Sequence, residues 1–238
     1  MLQKFVPAEF NEQEALRTTS DLVEIFQARR TVRDFSDETF PREILENALA
    51  MANMAPSGGN RQPWTFCIIE DPSVKEKIKT AAELVEKDFY VDRPNHNWLN
   101  DLKSFGTNEK KDYITEAPYL IVIFTEYFAK TADNGVLKNY YANESVGIAT
   151  GFLLASLHMA GLACLTYTPK NMKFLGELLE RPSNERAFLI LVVGQAKPAA
   201  QVPCLTKKTL QQVLKTYARK DIPSGPAKET GENIGTKL

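Results

Sequence analysis

The sequence predicts an α+β fold in which helices wrap a sheet, and three observations carry that expectation. Two long apolar, β-branched runs, PYLIVIFTEY (118–127) and RAFLILVVGQA (186–196), read as strands buried on both faces. The stretch VGIATGFLLASLHMAG, from Val146, is apolar or small nearly all round, so its helix belongs at the centre of the structure. Strands and helices follow one another without the regular βαβ alternation of a doubly wound parallel sheet.

The elements follow in chain order. Residues 1–18 are mixed and are expected to wrap the surface or a partner, and 21–29 reads as a short helix. In 41–54, Ile44, Ala48 and Ala52 recur every four residues with Leu45 and Leu49 beside them, and Pro41 suits a first helical turn. PWTFCIIED (63–71) is a strand closed by Asp71-Pro72, and 73–86 is helical. The strongest helix spans 139–160 and stops at Gly161. LACLTYT (162–168) is the next strand and 171–179 a short helix. The last helix, 206–217, sets Leu210, Val213 and Leu214 on one face. The stretch from Lys220, rich in Gly, Lys and Glu, reads as disordered, so the expectation is one domain over 1–219 and a tail over 220–238.

Composition narrows the function. The chain has 238 residues, 43% of them hydrophobic, enough for one sizeable core. A formal net charge of -1 argues against the broad basic surface that nucleic acid or an anionic membrane requires. Three cysteines without a CxxC read as buried thiols in a reducing compartment. Two histidines without ligand spacing argue against a zinc or di-metal site. The opening MLQKFVPAEFNEQE has no long apolar core, so a cytoplasmic protein without signal peptide or membrane anchor is expected.

Three stretches carry chemistry. ARRTVRDF (28–35) crowds Arg29, Arg30 and Arg33, which repel one another unless an anion sits among them; a solvated cluster at a helix C-terminus is the other reading. MAPSGGNRQPW (54–64) has adjacent glycines that let backbone N–H groups approach a ligand, or is an ordinary helix-to-strand loop. GxGxxG and Walker patterns are absent. EKDFYVDRPNHNW (86–98) is polar and Pro-interrupted, yet holds Phe89, Tyr90 and Trp98. Glu86 and Tyr90, four apart, share a helical face. With Lys111 they supply what an amino-acid zwitterion needs: a carboxylate for its ammonium, and a cation and a hydroxyl for its carboxylate. The aromatics would exclude water once such a lid (86–111) closed, and an unliganded lid of this composition is expected to be mobile. The other reading makes Glu86 and Lys111 surface charges and has the aromatics cover a dimer neighbour.

Taken together, RRTVRDF, APSGGNRQPW, the central helix, the VGQA strand end and TKKTL resemble, in order from about residue 22 to 217, the FMN-dependent nitroreductase superfamily. Glu86, Tyr90, Trp98, DLK (101–103), TN (107–108), Lys111, EAPYLIVIF, TYTP and VPCLTKKTL resemble its iodotyrosine deiodinase branch. The resemblance implies a nitroreductase-like fold, a central mixed β-sheet wrapped by helices in an intertwined homodimer, with FMN at the subunit interface. It implies FMN binding by Arg29, Arg30, Thr31, Val32, Arg33, Ser57, Thr166, Tyr167, Thr168 and Lys207. Lys207 stands where relatives often have Arg, so the planar fork is missing there. It implies substrate binding by Glu86, Tyr90, Lys111 and the backbone N–H of Gly59, and a catalytic hydroxyl on Thr168 facing flavin N5. The activity implied is reductive dehalogenation of iodotyrosine, and of bromo- and chlorotyrosine, to tyrosine and halide. Electrons would come from an external donor or reductase, since no nicotinamide fingerprint is present. Two alternatives stay open: a general NAD(P)H-dependent nitroreductase or quinone reductase, and a non-catalytic flavin- or amino-acid-binding protein.

Overall fold

A computed structural model of the chain describes residues 2–92, 99–100, 102–133 and 135–217. Trp98, Asp101, the rest of 93–98, the tail over 220–238 and the Phe89 side chain lie outside what is described. The chain forms two units, Met1–Pro203 and Cys204–Leu238.

In the first unit, α1 (Glu12–Gln27) begins well before the expected 21–29. Asn11 caps it, its side chain accepting from the Glu14 N–H at 3.1 Å, and Glu12 and Glu14 sit where the helix dipole favours acid. None of its residues is buried, and Leu16, Val23 and Ile25 face outward. Helix α2 (Arg42–Asn53) buries Leu45, Ala48 and Ala52, as its four-residue repeat requires. Strand β1 (Trp64–Ile69) leads into α3 (Pro72–Lys87), capped by Asp71 with Pro72 in the first turn. After the short α4 (Tyr113–Glu116) come β2 (Tyr119–Glu126) and a hairpin of β3 (Phe128–Lys130) with β4 (Val136–Lys138). Then follow α5 (Ala142–Met159), β5 (Ala163–Tyr167), α6 (Lys173–Leu178) and β6 (Glu185–Gly194).

The main sheet has the order β1-β2-β6-β5, each pair antiparallel, with Ile121 opposite Leu191 and Leu165 opposite Val192. Residues 31–35 extend it past β5 through a parallel bridge, Thr31 to Cys164, and an antiparallel one, Phe35 to Ala196. Strand alternation divides the core in two. Ile121, Ile123, Leu191 and Val193 pack with α2 and α5, while Leu120, Val122, Ile190 and Val192 pack with Ile78, Ile114 and Leu175. Both central strands are therefore buried on both faces, as their unbroken apolar runs predict. Helix α5 buries Val146, Ala149, Leu153 and Leu157, but its other side, with Gly147, Ile148 and Gly151, is exposed. No helix among the described residues is long and apolar enough to cross a membrane.

In the second unit, the expected helix over 206–217 contracts to α7 (Leu210–Val213), held by a Thr209–Gln212 capping box. Leu210, Val213 and Leu214 are all exposed, so the apolar face that would extend the helix is buried on nothing.

Candidate functional site

Strand β5 decides which side chains reach the site. Its alternation exposes Thr166 and Thr168 and turns Tyr167, 8% exposed, to the opposite face. Alongside runs the arginine segment, where the Val32 N–H donates to the Cys164 carbonyl at 3.2 Å. Arg29, Arg30 and Arg33 are half-buried, Arg30 donates to the Pro203 carbonyl, and no carboxylate among the described residues pairs with any of them. They follow the last turn of α1 without being a fully solvated end, and three partly desolvated cations without a counter-ion favour an anionic ligand.

One cavity of about 170 Å³ brings together Arg33, Glu86, Tyr90, Lys111, Thr166, Tyr167 and Thr168. Glu86 lies in the last turn of α3. Its Oε2 is 3.3 Å from Lys111 Nζ, and its Oε1 accepts from the Tyr167 hydroxyl at 3.0 Å. The two charged side chains are only 11% and 4% exposed, which overturns the surface-charge reading. Lys111 also donates to the Asn108 carbonyl and lies 5.3 Å from the Tyr90 ring centroid and 5.8 Å from that of Tyr167. Tyr90 donates to Thr107 Oγ1 at 2.9 Å, and Tyr113 meets Tyr167 edge-on at 5.7 Å between centroids.

Burial lowers the Lys111 pKa against the opposing pull of Glu86. Burial raises the phenols of Tyr90, Tyr113 and Tyr167, with the Glu86 charge acting in the same direction, so all three stay protonated donors. A buried ion pair whose members satisfy each other can exchange partners with a ligand carrying both charges, leaving neither bare.

The glycine turn lies outside this cavity, whose walls include neither Ser57 nor Gly59. Its two glycines have different reasons. Gly58 donates to Ser145 Oγ at 3.3 Å, and a Cβ there would come within 2.7 Å of the Tyr140 carbonyl oxygen. Gly59 has φ +58°, is exposed, and its N–H has no acceptor among the described residues. Ser57 Oγ accepts from the Gln62 N–H at 2.9 Å. Lys207 is an exposed residue of the second unit.

Residue-level reading missed three features. The Tyr167 side chain faces Glu86; only its alternation with two threonines signalled that. Asn108 and Thr107 brace Lys111 and Tyr90. Arg61 has buried Nε and Nη2 atoms without a partner among the described residues, and nothing in the turn's sequence signalled that.

The donor set fits a phosphorylated heteroaromatic cofactor: three guanidiniums suit a phosphate, and the outward hydroxyls of Thr166 and Thr168 suit ring heteroatoms. Residues 26–195 match the model of the Nitroreductase family. The chain is 45% identical over 216 residues to the iodotyrosine deiodinase of Haliscomenobacter hydrossis, covering 90% of this chain and 97% of that one. It is 41% identical over 209 residues to iodotyrosine deiodinase 1 of Homo sapiens, covering 87% and 72%. A crystal structure of oxidized iodotyrosine deiodinase bound to FMN and 3-iodo-L-tyrosine is similar with a TM-score of 0.69 at 34% identity, covering 79% of this chain and 96% of that one. A BluB-like flavoprotein from Clostridium difficile, 19% identical with a TM-score of 0.65, shares the fold over 83% of this chain and 99% of that one.

Proposed function

The chain belongs to the nitroreductase family, and from that premise we propose that it is an FMN-dependent oxidoreductase that reductively dehalogenates halotyrosines to tyrosine and halide. One observation carries the substrate: a buried acid and a buried ammonium, Glu86 and Lys111, face each other beside the Tyr90 phenol in the cavity that also holds Arg33 and Thr168.

Arg29, Arg30 and Arg33 would hold the FMN phosphate, with Thr31, Val32 and Ser57 completing the shell. Thr166 and Thr168 would meet the ring, Thr168 as the hydroxyl donor at N5. When bound, FMN supplies the two electrons of the reduction. Glu86 exchanges Lys111 for the substrate ammonium, while Lys111 and the Tyr90 hydroxyl take the carboxylate. The Gly59 N–H, which has no acceptor among the described residues, donates to the phenolate. The rings of Tyr90 and Tyr167 screen the charged end from water, which strengthens each of these contacts.

The working unit in this reading is a homodimer served by an external electron donor or reductase. The uncovered side of α5 and the outward apolar residues of α1 support it, as does the distribution of the site, with Ser57 and Gly59 outside the cavity that holds Thr168. Of the three cysteines expected to be buried, Cys164 is, Cys67 is half-buried and Cys204 is exposed; all three are free thiols, which supports a reducing, cytoplasmic setting in this reading.

The test is anaerobic. Enzyme whose FMN has been reduced chemically is mixed with iodotyrosine, and tyrosine formation and flavin reoxidation are followed. Stoichiometric tyrosine is expected. No tyrosine, alongside rapid turnover of a nitroarene with NADPH, would replace this reading with that of a general nitroreductase.

A further inference from the structure

We infer that Tyr167 is a specificity-determining positioning residue: its hydroxyl holds one oxygen of Glu86 so that the other is presented to the ammonium group of the amino-acid substrate. The inference rests on the halotyrosine reading and deepens it.

The resemblance groups Tyr167 with its threonine neighbours as flavin-binding residues. The geometry separates them. Thr166 and Thr168 face outward, whereas the Tyr167 ring is buried on the other side of β5 against Tyr113. Its hydroxyl donates to Glu86 Oε1 at 3.0 Å.

The two Glu86 oxygens therefore have separate tasks. Oε1 is fixed by Tyr167, and Oε2 faces Lys111 at 3.3 Å. When a zwitterion draws Lys111 to its carboxylate, Oε2 is released for the ammonium while Oε1 stays held. A carboxylate fixed through one oxygen keeps its direction during that exchange, so less rotamer freedom is lost on binding. The tyrosine suits the task because it remains a donor: burial and the adjacent acid both oppose its ionisation. Its ring also lies 5.8 Å from Lys111 Nζ, so one side chain contacts both members of the pair.

The experiment uses flavin-loaded protein and two ligands: iodotyrosine, and its des-amino analogue 3-(4-hydroxy-3-iodophenyl)propanoate, which keeps the phenol and carboxylate but has no ammonium. Dissociation constants are read from the flavin absorbance change. In Tyr167→Phe, Kd for iodotyrosine is expected to rise about tenfold or more, the loss typical of a hydrogen bond to a charged group, while Kd for the analogue moves far less. In a Glu86→Gln background the same substitution should add nothing further, because its route of action is already gone. Tyr167→Met, measured in parallel with melting curves, guards against a folding failure of one variant. Equal losses for both ligands, or additive losses with Glu86→Gln, would make Tyr167 a packing residue and overturn the inference. A wild-type protein that binds the analogue as tightly as iodotyrosine would instead overturn the halotyrosine reading, and the inference with it.

Discussion

Lys75 and the Glu86–Lys111 pair show two ways of burying a lysine. Lys75, 6% exposed, donates to the carbonyls of Ala117 (2.8 Å) and Pro118 (3.4 Å), closing the end of α4, where helix carbonyls lack internal partners. Burial alone lowers its pKa below the ordinary 10.5. Between that lowered value and 10.5 the unfolded chain holds a proton that the folded chain has released, so this group makes stability rise with pH in that window. Urea melts of wild type and Lys75→Met from pH 7.5 upward should show the difference growing in the wild type's favour; a shrinking difference would contradict the assignment. Lys111 differs in having a charged partner. Lys111→Met leaves the Glu86 carboxylate buried without its cation, held by the Tyr167 hydroxyl, a loss of about 3 kcal/mol by urea melting. Adding Glu86→Gln should restore most of that stability and none of the iodotyrosine affinity, which separates structural from recognition roles. Composition alone left Glu86 and Lys111 readable as surface charges; it was the order of Glu86, Tyr90 and Lys111, which resembles the deiodinase branch, that singled them out, and the structure buries the acid and the ammonium side by side. The Tyr167 contact was not legible, since it depends on which face of β5 turns toward α3.

At the scale of elements, periodicity reported burial well and partners poorly. The runs of β2 and β6 were legible because two-sided burial leaves no polar alternate position. The first half of α1 was missed because its apolar positions meet no core in this chain, leaving the Asn11 cap as the usable signal. The terminal helix over 206–217 was overextended for the related reason that an apolar stripe cannot declare whether anything covers it. Helix α5 is the informative case. Its sequence is apolar nearly all round, yet the single chain covers one side only. The homodimer reading resolves this by having a second copy cover Gly147, Ile148 and Gly151. A Cβ at Gly151 would meet nothing within 4 Å in its own chain, and replacing Gly inside a helix improves propensity. Gly151→Leu should therefore leave circular dichroism intact while abolishing the dimer in sedimentation velocity, and flavin should be lost with it. A dimeric, yellow Gly151→Leu protein would show that this face is not the interface.

At the scale of the molecule, the homodimer reading puts the two halves of the proposed site on different chains. Glu86, Lys111 and Thr168 share one cavity, while Gly59 lies on a turn packed against Tyr140 and Ser145, outside that cavity's walls. If the phenolate contact and the zwitterion contacts come from opposite subunits, two different dead enzymes should complement each other. Gly59→Val forces a β-branched residue to φ +58° and spoils the turn. Glu86→Gln with Lys111→Gln removes the zwitterion contacts. In a mixed dimer of these chains one site inherits both defects and the other inherits neither. Random reassortment makes half the dimers mixed, so about a quarter of the wild-type dehalogenation rate should appear on co-expression, from parents that have almost none. Were each site built within one chain, every site in the mixture would carry one defect and no activity would return. The measurement is tyrosine release by the co-expressed pair, set against each parent at equal flavin content.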